Sequence, residues 1–364
     1  METVPGMIRT ATPDRSAPRV TVLTSVFNGA RFLDEAIGSI HRQSCGDFEY
    51  LLIDDASTDA TPTLLATWAE RDPRIRVIRN ETNLGLTRSL NKGIHLARAP
   101  WIARQDADDW SHPERLAKQL AHLETHPEIG LLGCAAWWMD PLGQREAAPR
   151  VNPVDHEEIA WTLLFHNPFF HTSVLFSRAL VRTHPYDEAW RFGQDFELWG
   201  RLSRHTRCAN LAEPLVCIRR HEERVSARHF QSQQASTLEL TASRCRALCP
   251  ELTWDPERLQ TLRSLQSSRW ATSEESPELH GVWLRLFQAF AQQEGLDRRP
   301  LDALRQQVLQ RSWRAVIGMT NLEARWSVIR EMGRVAGAWE SFRALGILMG
   351  RRAWRAMAPD RNAP

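Results

Sequence analysis

Strand-like and helix-like segments alternate from Arg19 onward, and this alternation limits the possible folds more than any other feature of the chain. Short β-branched or apolar runs indicate strands, and the segments between them carry apolar residues at helical spacing. The pattern predicts an α/β fold with a mostly parallel sheet and helices on its faces. The predicted strands cover residues 20–27, 48–53, 75–79 and 101–105, and the helices between them cover residues 32–43, 58–70 and 86–97.

Polar clusters follow each of the four strands, at residues 24–28, 54–55, 80–85 and 104–109. These clusters lie far apart in the sequence and would meet if the strands run parallel. Ligands of open α/β sheets bind beyond the carboxyl ends of the strands. The clusters therefore predict one binding site at that edge of the sheet.

The last cluster contains three carboxylates, Asp106, Asp108 and Asp109, directly after an apolar segment. Alternate side chains of an extended chain share a face, so Asp106 and Asp108 can point in the same direction. Two such carboxylates form a hard-oxygen site that suits Mg²⁺ or Mn²⁺ carrying a diphosphate. The alternative is a solvated acidic turn.

Neither of the two common glycine-rich phosphate loops follows the first predicted strand. Without Gly-x-Gly-x-x-Gly or Gly-Lys-Ser/Thr, a dinucleotide cradle or a P-loop is not expected. A bound diphosphate would then need a cation, and the acidic cluster can supply its ligands. The missing loop also argues against nucleotidyl transfer.

Composition excludes several classes of protein. The net charge of +2 over 364 residues gives no reason to expect a nucleic-acid partner. The six cysteines form no Cys-x-x-Cys pair and are expected to be reduced thiols. Residues 1–18 resemble a disordered lead-in rather than a signal peptide, and no run is long enough to span a bilayer. A cytoplasmic protein, soluble or membrane-peripheral, is expected.

The sequence changes character near residue 230, where glycine becomes sparse and helical periodicity dominates. We therefore expect a domain over residues 19–229 and a helical region over residues 230–364. The last predicted helix has an apolar stripe with Trp339 and Phe342, and arginines flank it. Such a helix can lie on an anionic membrane surface, and docking against the rest of the protein is the alternative.

Taken together and in order, the motifs of the first domain resemble glycosyltransferase family 2, an inverting group with the GT-A fold. The resemblance covers about residues 19–225. Gln194 stands where many members carry an acid, but the carboxylate that follows it is present. The motifs are Thr24-Ser25-Val26-Phe27-Asn28, Ile53-Asp54-Asp55-Ala56-Ser57-Thr58-Asp59, Asn83-Leu84-Gly85, Asp106-Ala107-Asp108-Asp109 and Gln194-Asp195-Phe196-Glu197-Leu198-Trp199.

The resemblance implies transfer of a sugar from a nucleotide-diphosphate donor, expected to be a UDP-sugar, to an acceptor hydroxyl. The acceptor is expected to be a glycan or a lipid-linked sugar in cell-surface polysaccharide or glycoconjugate synthesis, at the inner face of the plasma membrane. A cation, Mn²⁺ or Mg²⁺, would neutralise the leaving diphosphate, and a general base would take the hydroxyl proton. The alternative is a non-catalytic sugar-nucleotide-binding or assembly protein that keeps the GT-A fold.

The resemblance also implies roles for individual residues. Asp195 matches the family's base, and Asp108 is the expected metal ligand, with Asp106 and His221 as further candidates. Arg104 is expected to face the diphosphate, and Asp55 to bind the base or the ribose. The full set expected to bind the nucleotide sugar is Thr24, Ser25, Asn28, Asp55, Asn83, Gly85, Arg104 and Asp106.

Each of these roles has a structural alternative. Asp55 can be a turn or helix-cap residue, and Asp195 can simply complement a helix dipole. Arg104 can be a salt-bridge partner of the nearby acids, and His221 an ordinary surface histidine.

Overall fold

An eight-stranded sheet is the framework of the first of the two units into which the chain divides. Within the described residues, this unit holds residues 17–152 and 169–221, and the second holds residues 153–168 and the residues from 229 onward. Residues 153–168, which the sequence analysis includes in the first domain, thus lie in the second unit. The computed structural model describes residues 17–221, 229–266, 277–293, 296–318, 323 and 325–334.

The sheet is mixed, with a parallel half and a half that contains antiparallel pairs. Its strand order is β3-β2-β1-β4-β7-β6-β8-β5. The first four strands in this order are parallel to one another, and β6 is parallel to β8, whereas β7 and β5 run antiparallel to the strands beside them. The predicted mostly parallel α/β fold is confirmed. The strands are β1 (Val20–Val26), β2 (Phe48–Asp54), β3 (Ile75–Arg79), β4 (Trp101–Arg104), β5 (Trp110–Ser111), β6 (Ile129–Met139), β7 (Leu175–Ser177) and β8 (Arg207–Arg219).

The central strands are buried along almost their whole length because helices cover both faces of a parallel sheet. All seven residues of β2 are buried, and β1 is buried except for Ser25. Leu33, Ile37 and Ile40 pack against these strands, so the helical spacing of apolar residues predicted for this segment forms part of the core. The helices are α1 (Ala30–His41), α2 (Thr61–Arg71), α3 (Leu86–Leu96), α4 (Arg115–Thr125), α5 (His156–Thr162), α6 (Arg178–Thr183) and α7 (Gln194–Leu202).

One predicted strand is wrong over most of its length. The sequence pattern favours a strand over residues 167–176, but the structure has a 3₁₀ turn at His171–Ser173 and a strand only at Leu175–Ser177. The Ser173 hydroxyl donates to the Phe170 carbonyl at 2.8 Å. Local bonds from serine and threonine side chains to the backbone compete with strand pairing.

The second unit is helical, as predicted for the carboxyl-terminal region. Its core combines Trp161 of α5 with residues of the later helices, including Trp283 and Phe287. Among the described residues, no helix is both long and apolar enough to cross a membrane. The amphipathic stripe predicted around Trp339 lies outside the described residues. The later helices span Phe230–Leu248, Pro256–Gln266, Pro277–Ala291 and Arg298–Gly318, and residues 325–334 are also helical.

Candidate active site

The four polar clusters predicted from the sequence lie at one edge of the sheet. In the register of the parallel strands, Val26 pairs with Asp54, and Asp54 pairs with Arg79. Leu23 pairs with Arg104, so the acidic loop begins beside the end of β1. The carboxyl ends of β1, β2, β3 and β4 therefore meet, which is where open α/β sheets bind ligands.

The three aspartates of the acidic loop have different surroundings. Asp109 is 3% exposed, and its Oδ1 accepts the Arg219 N–H at 2.9 Å. The side chains of Asp106 and Asp108 are 32% and 28% exposed. Asp109 is therefore a structural acid, whereas Asp106 and Asp108 can reach a ligand.

A buried polar layer beneath the loop fixes its backbone. Gln105 is fully buried, and its side-chain amide donates to the Asp109 carbonyl at 2.9 Å. Its Oε1 accepts from Ser111 at 2.7 Å and from Arg115 at 3.0 Å. Arg115 also donates to the Arg104 carbonyl at 2.8 Å, and burial lowers its pKa to about 10. These bonds hold the loop in one conformation, and no sequence motif pointed to Arg115.

Asp108 is held by the last residue of β8 and by the segment that follows this strand. The Nε2 atom of His221 lies 2.8 Å from Asp108 Oδ2, and Arg219 donates to the Asp108 carbonyl at 3.0 Å. The Phe32 ring lies against His221 with centroids 4.9 Å apart. His221 Nδ1 is buried and has no hydrogen-bond partner among the described residues. The structure therefore brings the predicted His221 to the predicted metal ligand.

The described residues contain no group of three or more His, Cys, Asp or Glu side chains placed to hold a metal ion. The Asp108 carboxylate contacts the His221 ring, and the Asp106 carboxylate forms an ion pair with Arg104. The donor types nevertheless suit Mg²⁺ or Mn²⁺, because Mg²⁺ is usually held by one or two carboxylates together with substrate phosphates. The residues fit a cation shared with a bound diphosphate, not one enclosed by protein ligands alone.

Arg104 is 1% exposed, which argues against the predicted contact with a diphosphate. Its guanidinium donates to Asp106 Oδ1 and to the carbonyls of Leu23 and Gln105. The salt-bridge alternative describes this arrangement, because a buried cation is stable only when paired and hydrogen-bonded. Arg104 therefore orients the Asp106 carboxylate and has no exposed surface to offer a diphosphate.

Asp195 lies in the first turn of α7, directly after Gly193 and Gln194. Gly193 adopts a φ of 71°, a conformation that glycine tolerates best. The Asp195 side chain is partly exposed. The helix thus begins in a left-handed turn that fixes where this carboxylate stands.

His171 and Tyr186 connect Asp195 with the acidic loop. His171 Nε2 lies 2.8 Å from the Tyr186 hydroxyl. Burial, and then the Arg104 charge, lower the pKa of His171, while the charges of Asp195 and Asp106 act in the opposite direction. The His171 ring lies 6.1 Å from the Trp199 ring of α7, and the neighbouring Thr172 hydroxyl accepts the Asp106 N–H at 3.1 Å, so this turn contacts both the helix of Asp195 and the acidic loop. Tyr186 was missed by the sequence analysis, since it lies in an irregular segment without a motif.

Three of the residues expected to bind the nucleotide sugar, Thr24, Ser25 and Asn28, lie at the end of β1 and directly after it, where the resemblance implies the nucleobase pocket. Thr24 is fully buried, and its hydroxyl donates to the Gln105 carbonyl at 2.8 Å, so it cannot line a pocket as predicted. Ser25 points the other way and is partly exposed. Asn28 Oδ1 accepts the Thr58 N–H at 2.8 Å and so ties two loops together. Phe27 directly follows β1 and is 51% exposed. The sequence analysis did not name it as a candidate site residue, although an aromatic residue at the end of an apolar run could have indicated one.

Asp55 organises the loop that contains Asn83 and Gly85. Its Oδ1 accepts from the Asn80 side chain at 2.7 Å and from the Leu84 N–H at 2.8 Å, and its Oδ2 accepts the Gly85 N–H at 2.8 Å. Gly85 has a φ of 85°. A carboxylate has about four lone-pair sites, so one remains for a ligand. Asp55 is thus mainly a loop anchor, and it is only 2% exposed.

Comparison with known proteins gives consistent results. The model of the family described as Glycosyl transferase family 2 matches residues 21–182. EpsE of Bacillus subtilis, named provisionally as a glycosyltransferase, is 35% identical over 220 residues, and the match covers 59% of this chain and 78% of EpsE. AmsE of Erwinia amylovora, an amylovoran biosynthesis glycosyltransferase, is 30% identical over 224 residues, with 60% of this chain and 83% of AmsE covered.

A solved structure agrees in fold. TarS from S. aureus, determined in complex with UDP-GlcNAc, is 17% identical with a TM-score of 0.52 over 88% of this chain and 91% of that chain. At this identity the likeness concerns the fold alone, and it confirms the predicted GT-A architecture with a helical carboxyl-terminal region. EpsE and AmsE are both matched over more than two thirds of their own length. The chain belongs to glycosyltransferase family 2 and is a glycosyltransferase.

Proposed function

We propose that the chain is a metal-dependent, inverting glycosyltransferase that uses a UDP-sugar as donor and an acceptor hydroxyl as nucleophile. One observation supports this most strongly: two ligand-accessible carboxylates follow a strand at the carboxyl edge of the sheet, and a third lies in the first turn of a helix. Asp106 and Asp108 are the first two, and Asp195 is the third. The turn His171–Ser173 contacts both the acidic loop, through the Asp106 N–H bond to the Thr172 hydroxyl, and α7, through the His171 and Trp199 rings, which supports a site with adjoining donor and acceptor halves.

Asp195 takes the proton of the acceptor hydroxyl while the hydroxyl oxygen attacks the anomeric carbon. The bond between that carbon and the diphosphate breaks on the opposite side, and the configuration inverts. Gly193 and the start of α7 fix the position of Asp195, so the base needs little reorganisation.

A divalent cation, when bound, offsets the negative charge that develops on the departing diphosphate. Asp108, Asp106 and His221 are the residues that would hold it. His221 orients the Asp108 carboxylate, and Arg104 orients that of Asp106. Arg219 fixes the backbone between them through the Asp108 carbonyl.

The donor and the acceptor class rest on the relatives. The TarS complex contains UDP-GlcNAc, which supports a nucleotide sugar and, among nucleotides, UDP. The name of AmsE refers to amylovoran biosynthesis, which supports an acceptor glycan in polysaccharide synthesis. The acceptor is accordingly a glycan or a lipid-linked sugar.

Calorimetry with UDP in the presence and absence of Mn²⁺ tests the proposal. UDP should bind with Mn²⁺, and Asp108→Ala should weaken binding by at least about tenfold, because even outer residues of metal sites cost about 10–100-fold. Glu114→Ala is the matched control, since this exposed acid forms an ion pair with Lys118 and should leave affinity unchanged. UDP binding that is indifferent to both Mn²⁺ and Asp108 would contradict the metal role.

The protein is further proposed to act in the cytoplasm at the inner face of the plasma membrane. The support is the sequence of residues 335–364 alone, where Trp339 and Phe342 stand among arginines. Anionic vesicles should sediment the full chain, neutral phosphatidylcholine vesicles should not, and a chain ending at residue 334 should sediment with neither. Equal sedimentation of both chains with anionic vesicles would rule out this segment as the anchor.

A further inference from the structure

We propose that Trp138, Phe170 and Arg220, here called the aromatic wall, form the acceptor subsite and bind a pyranose ring. This inference rests on the proposed function, because it supplies the acceptor half of that reaction. No motif of the chain predicted these residues.

The wall is a packed unit. The rings of Trp138 and Phe170 meet edge to face, with centroids 6.0 Å apart and planes at 84°. The Arg220 guanidinium lies over the Trp138 ring, 4.4 Å from its centroid, and forms an ion pair with Glu146. Aromatic pairs of this geometry and arginine stacked on indole are stabilising arrangements. The indole is therefore held in one orientation.

The two ends of the wall adjoin the two halves of the candidate active site. Phe170 directly precedes the turn His171–Ser173, in which the Thr172 hydroxyl accepts the Asp106 N–H at 3.1 Å and the His171 ring lies 6.1 Å from the Trp199 ring of α7, the helix that carries Asp195. Arg220 directly precedes His221, which contacts Asp108. The wall thus connects the segment beside the proposed base with the segment beside the proposed cation ligands, where an acceptor must lie.

The strand geometry puts the members of the wall on one face of the sheet. Trp138 pairs with Ile218 in the register of β6 and β8, and Arg220 lies two residues beyond Ile218, so Trp138 and Arg220 share a face, where Phe170 meets Trp138. Side chains alternate along a strand, and Trp137 therefore points to the opposite face. Trp137 and Trp138 are both partly exposed. Trp137 thus offers an internal control of the same type at the adjacent position.

The chemistry of the wall suits a sugar. A pyranose has a face of C–H bonds, which packs on an aromatic ring, and a rim of hydroxyls that need donors and acceptors. Trp138 and Phe170 supply the apolar surface, and the Arg220–Glu146 pair supplies N–H donors and carboxylate acceptors. Arg220 and Glu146 remain 53% and 36% exposed, so both are accessible. Ligand sites typically combine aromatic lining with a few fixed polar groups in this way.

Saturation-transfer NMR with p-nitrophenyl glycosides of glucose, galactose and N-acetylglucosamine, in both anomeric forms, tests the wall. Binding is measured with and without UDP and Mn²⁺. At least one glycoside should bind the natural chain, and Trp138→Ala should raise its Kd about tenfold, as expected for losing an aromatic contact. Trp137→Ala should change the Kd less than about twofold. Phe170→Leu, which keeps most of the buried volume, should also weaken the glycoside if Trp138→Ala fails to fold.

The outcomes separate this inference from the proposed function. If no glycoside binds the natural chain, or if the Trp137 and Trp138 variants behave alike, the wall is not the acceptor subsite. UDP affinity is measured separately by calorimetry, and the wall variants should leave it unchanged. A chain that fails to bind UDP would count against the proposed function, while the glycoside comparison would still decide the wall.

Discussion

Asp55 carries three hydrogen bonds on a carboxylate that has about four lone-pair sites. Two of the three donors are backbone N–H groups of residues 84 and 85, which must be satisfied wherever they are buried. At the scale of single residues, its main role is thus to shape the loop, and only the remaining site is open to a nucleotide.

Asp55→Asn should lower the free energy of unfolding of the first unit by about 1–3 kcal/mol, the cost of leaving buried donors unsatisfied. An asparagine can keep the two bonds to one oxygen, but its NH₂ group would then face the Gly85 N–H. Urea unfolding followed by circular dichroism measures the change. Gly85 would also lose the acceptor that holds its φ of 85°.

Asp140 provides the matched control for this substitution. Its Oδ1 accepts the N–H groups of Leu142 and Gln144, both at 2.9 Å, in an exposed turn. Asparagine can accept both bonds through its single carbonyl oxygen, so Asp140→Asn should change stability by less than about 0.5 kcal/mol. Equal losses in the two variants would contradict the assignment of Asp55 as a buried anchor.

Asp195→Asn should keep donor binding and lose transfer, because an amide cannot take the acceptor proton. General-base catalysis contributes about 10²–10⁴-fold, so the turnover number should fall by that factor with UDP affinity unchanged. Turnover of a UDP-sugar in the presence of an acceptor glycoside, and calorimetry with UDP, measure the two quantities.

Glu197 is the control for Asp195, since it is the other acid in the first turn of α7 and pairs with Arg201 at 2.8 Å. Glu197→Gln should leave turnover within about twofold, because both oxygens of this carboxylate are already engaged by Arg201. If Asp195→Asn turns over like Glu197→Gln, another group is the base.

Among the structural elements, α1, α2 and β3 are tied together by one aspartate. Asp72 ends α2, and its carboxylate accepts from Arg74 at the start of β3 and contacts His41 at the end of α1. The side chain is 3% exposed. The hydrogen bonds from Arg74 are the largest cause that lowers the pKa of Asp72, with His41 adding to them.

Asp72→Asn should destabilise the first unit by about 1–3 kcal/mol at pH 7, through the loss of these charge-assisted bonds. A carboxylate with a lowered pKa in the folded state stabilises that state above its unfolded pKa of about 3.9. This contribution is lost as the pH falls toward the folded-state pKa, so the difference between the natural chain and the variant should shrink below about pH 4. Urea unfolding at pH 7 and pH 3 measures it, and a constant difference would contradict the ionic origin.

Elements with strong local patterns were predictable, and contacts between distant segments were not. Strands β1 to β4 and the acidic loop follow from apolar runs that end in polar clusters, so Asp106 and Asp108 could be placed at the sheet edge. The bond between His171 and Tyr186 joins a 3₁₀ turn, where the sequence pattern favoured a strand, to a segment without a motif. Thr24 was expected to bind the nucleotide sugar but is buried, because a motif gives the type of a residue and not the face of the strand on which its side chain lies.

For the whole molecule, the chain path passes between two units more than once. Residues 153–168 enter the second unit before the chain returns to the first at residue 169. The sequence analysis missed this excursion because a short helix inside a predicted α/β domain carries no signal of the core it joins. Each unit has its own hydrophobic core, so each is expected to have its own unfolding transition.

Trp161 is the residue by which this excursion can be tested. It is fully buried among Phe287, Phe290 and Trp283, with ring centroids 5.3, 5.4 and 6.0 Å away, and its Nε1 donates to Gln266 at 3.0 Å. Trp161→Ala should therefore destabilise the second unit by about 3–5 kcal/mol, the usual cost of truncating a buried tryptophan.

Two further tryptophans provide the control variants for Trp161→Ala. Trp199 is fully buried in the first unit, so Trp199→Ala should lower the other calorimetric transition by a similar amount. Trp326 is 62% exposed in the second unit, and Trp326→Ala should change stability by less than about 0.5 kcal/mol. If Trp161→Ala shifts the same transition as Trp199→Ala, then residues 153–168 unfold with the sheet, and the division into two units does not hold in solution.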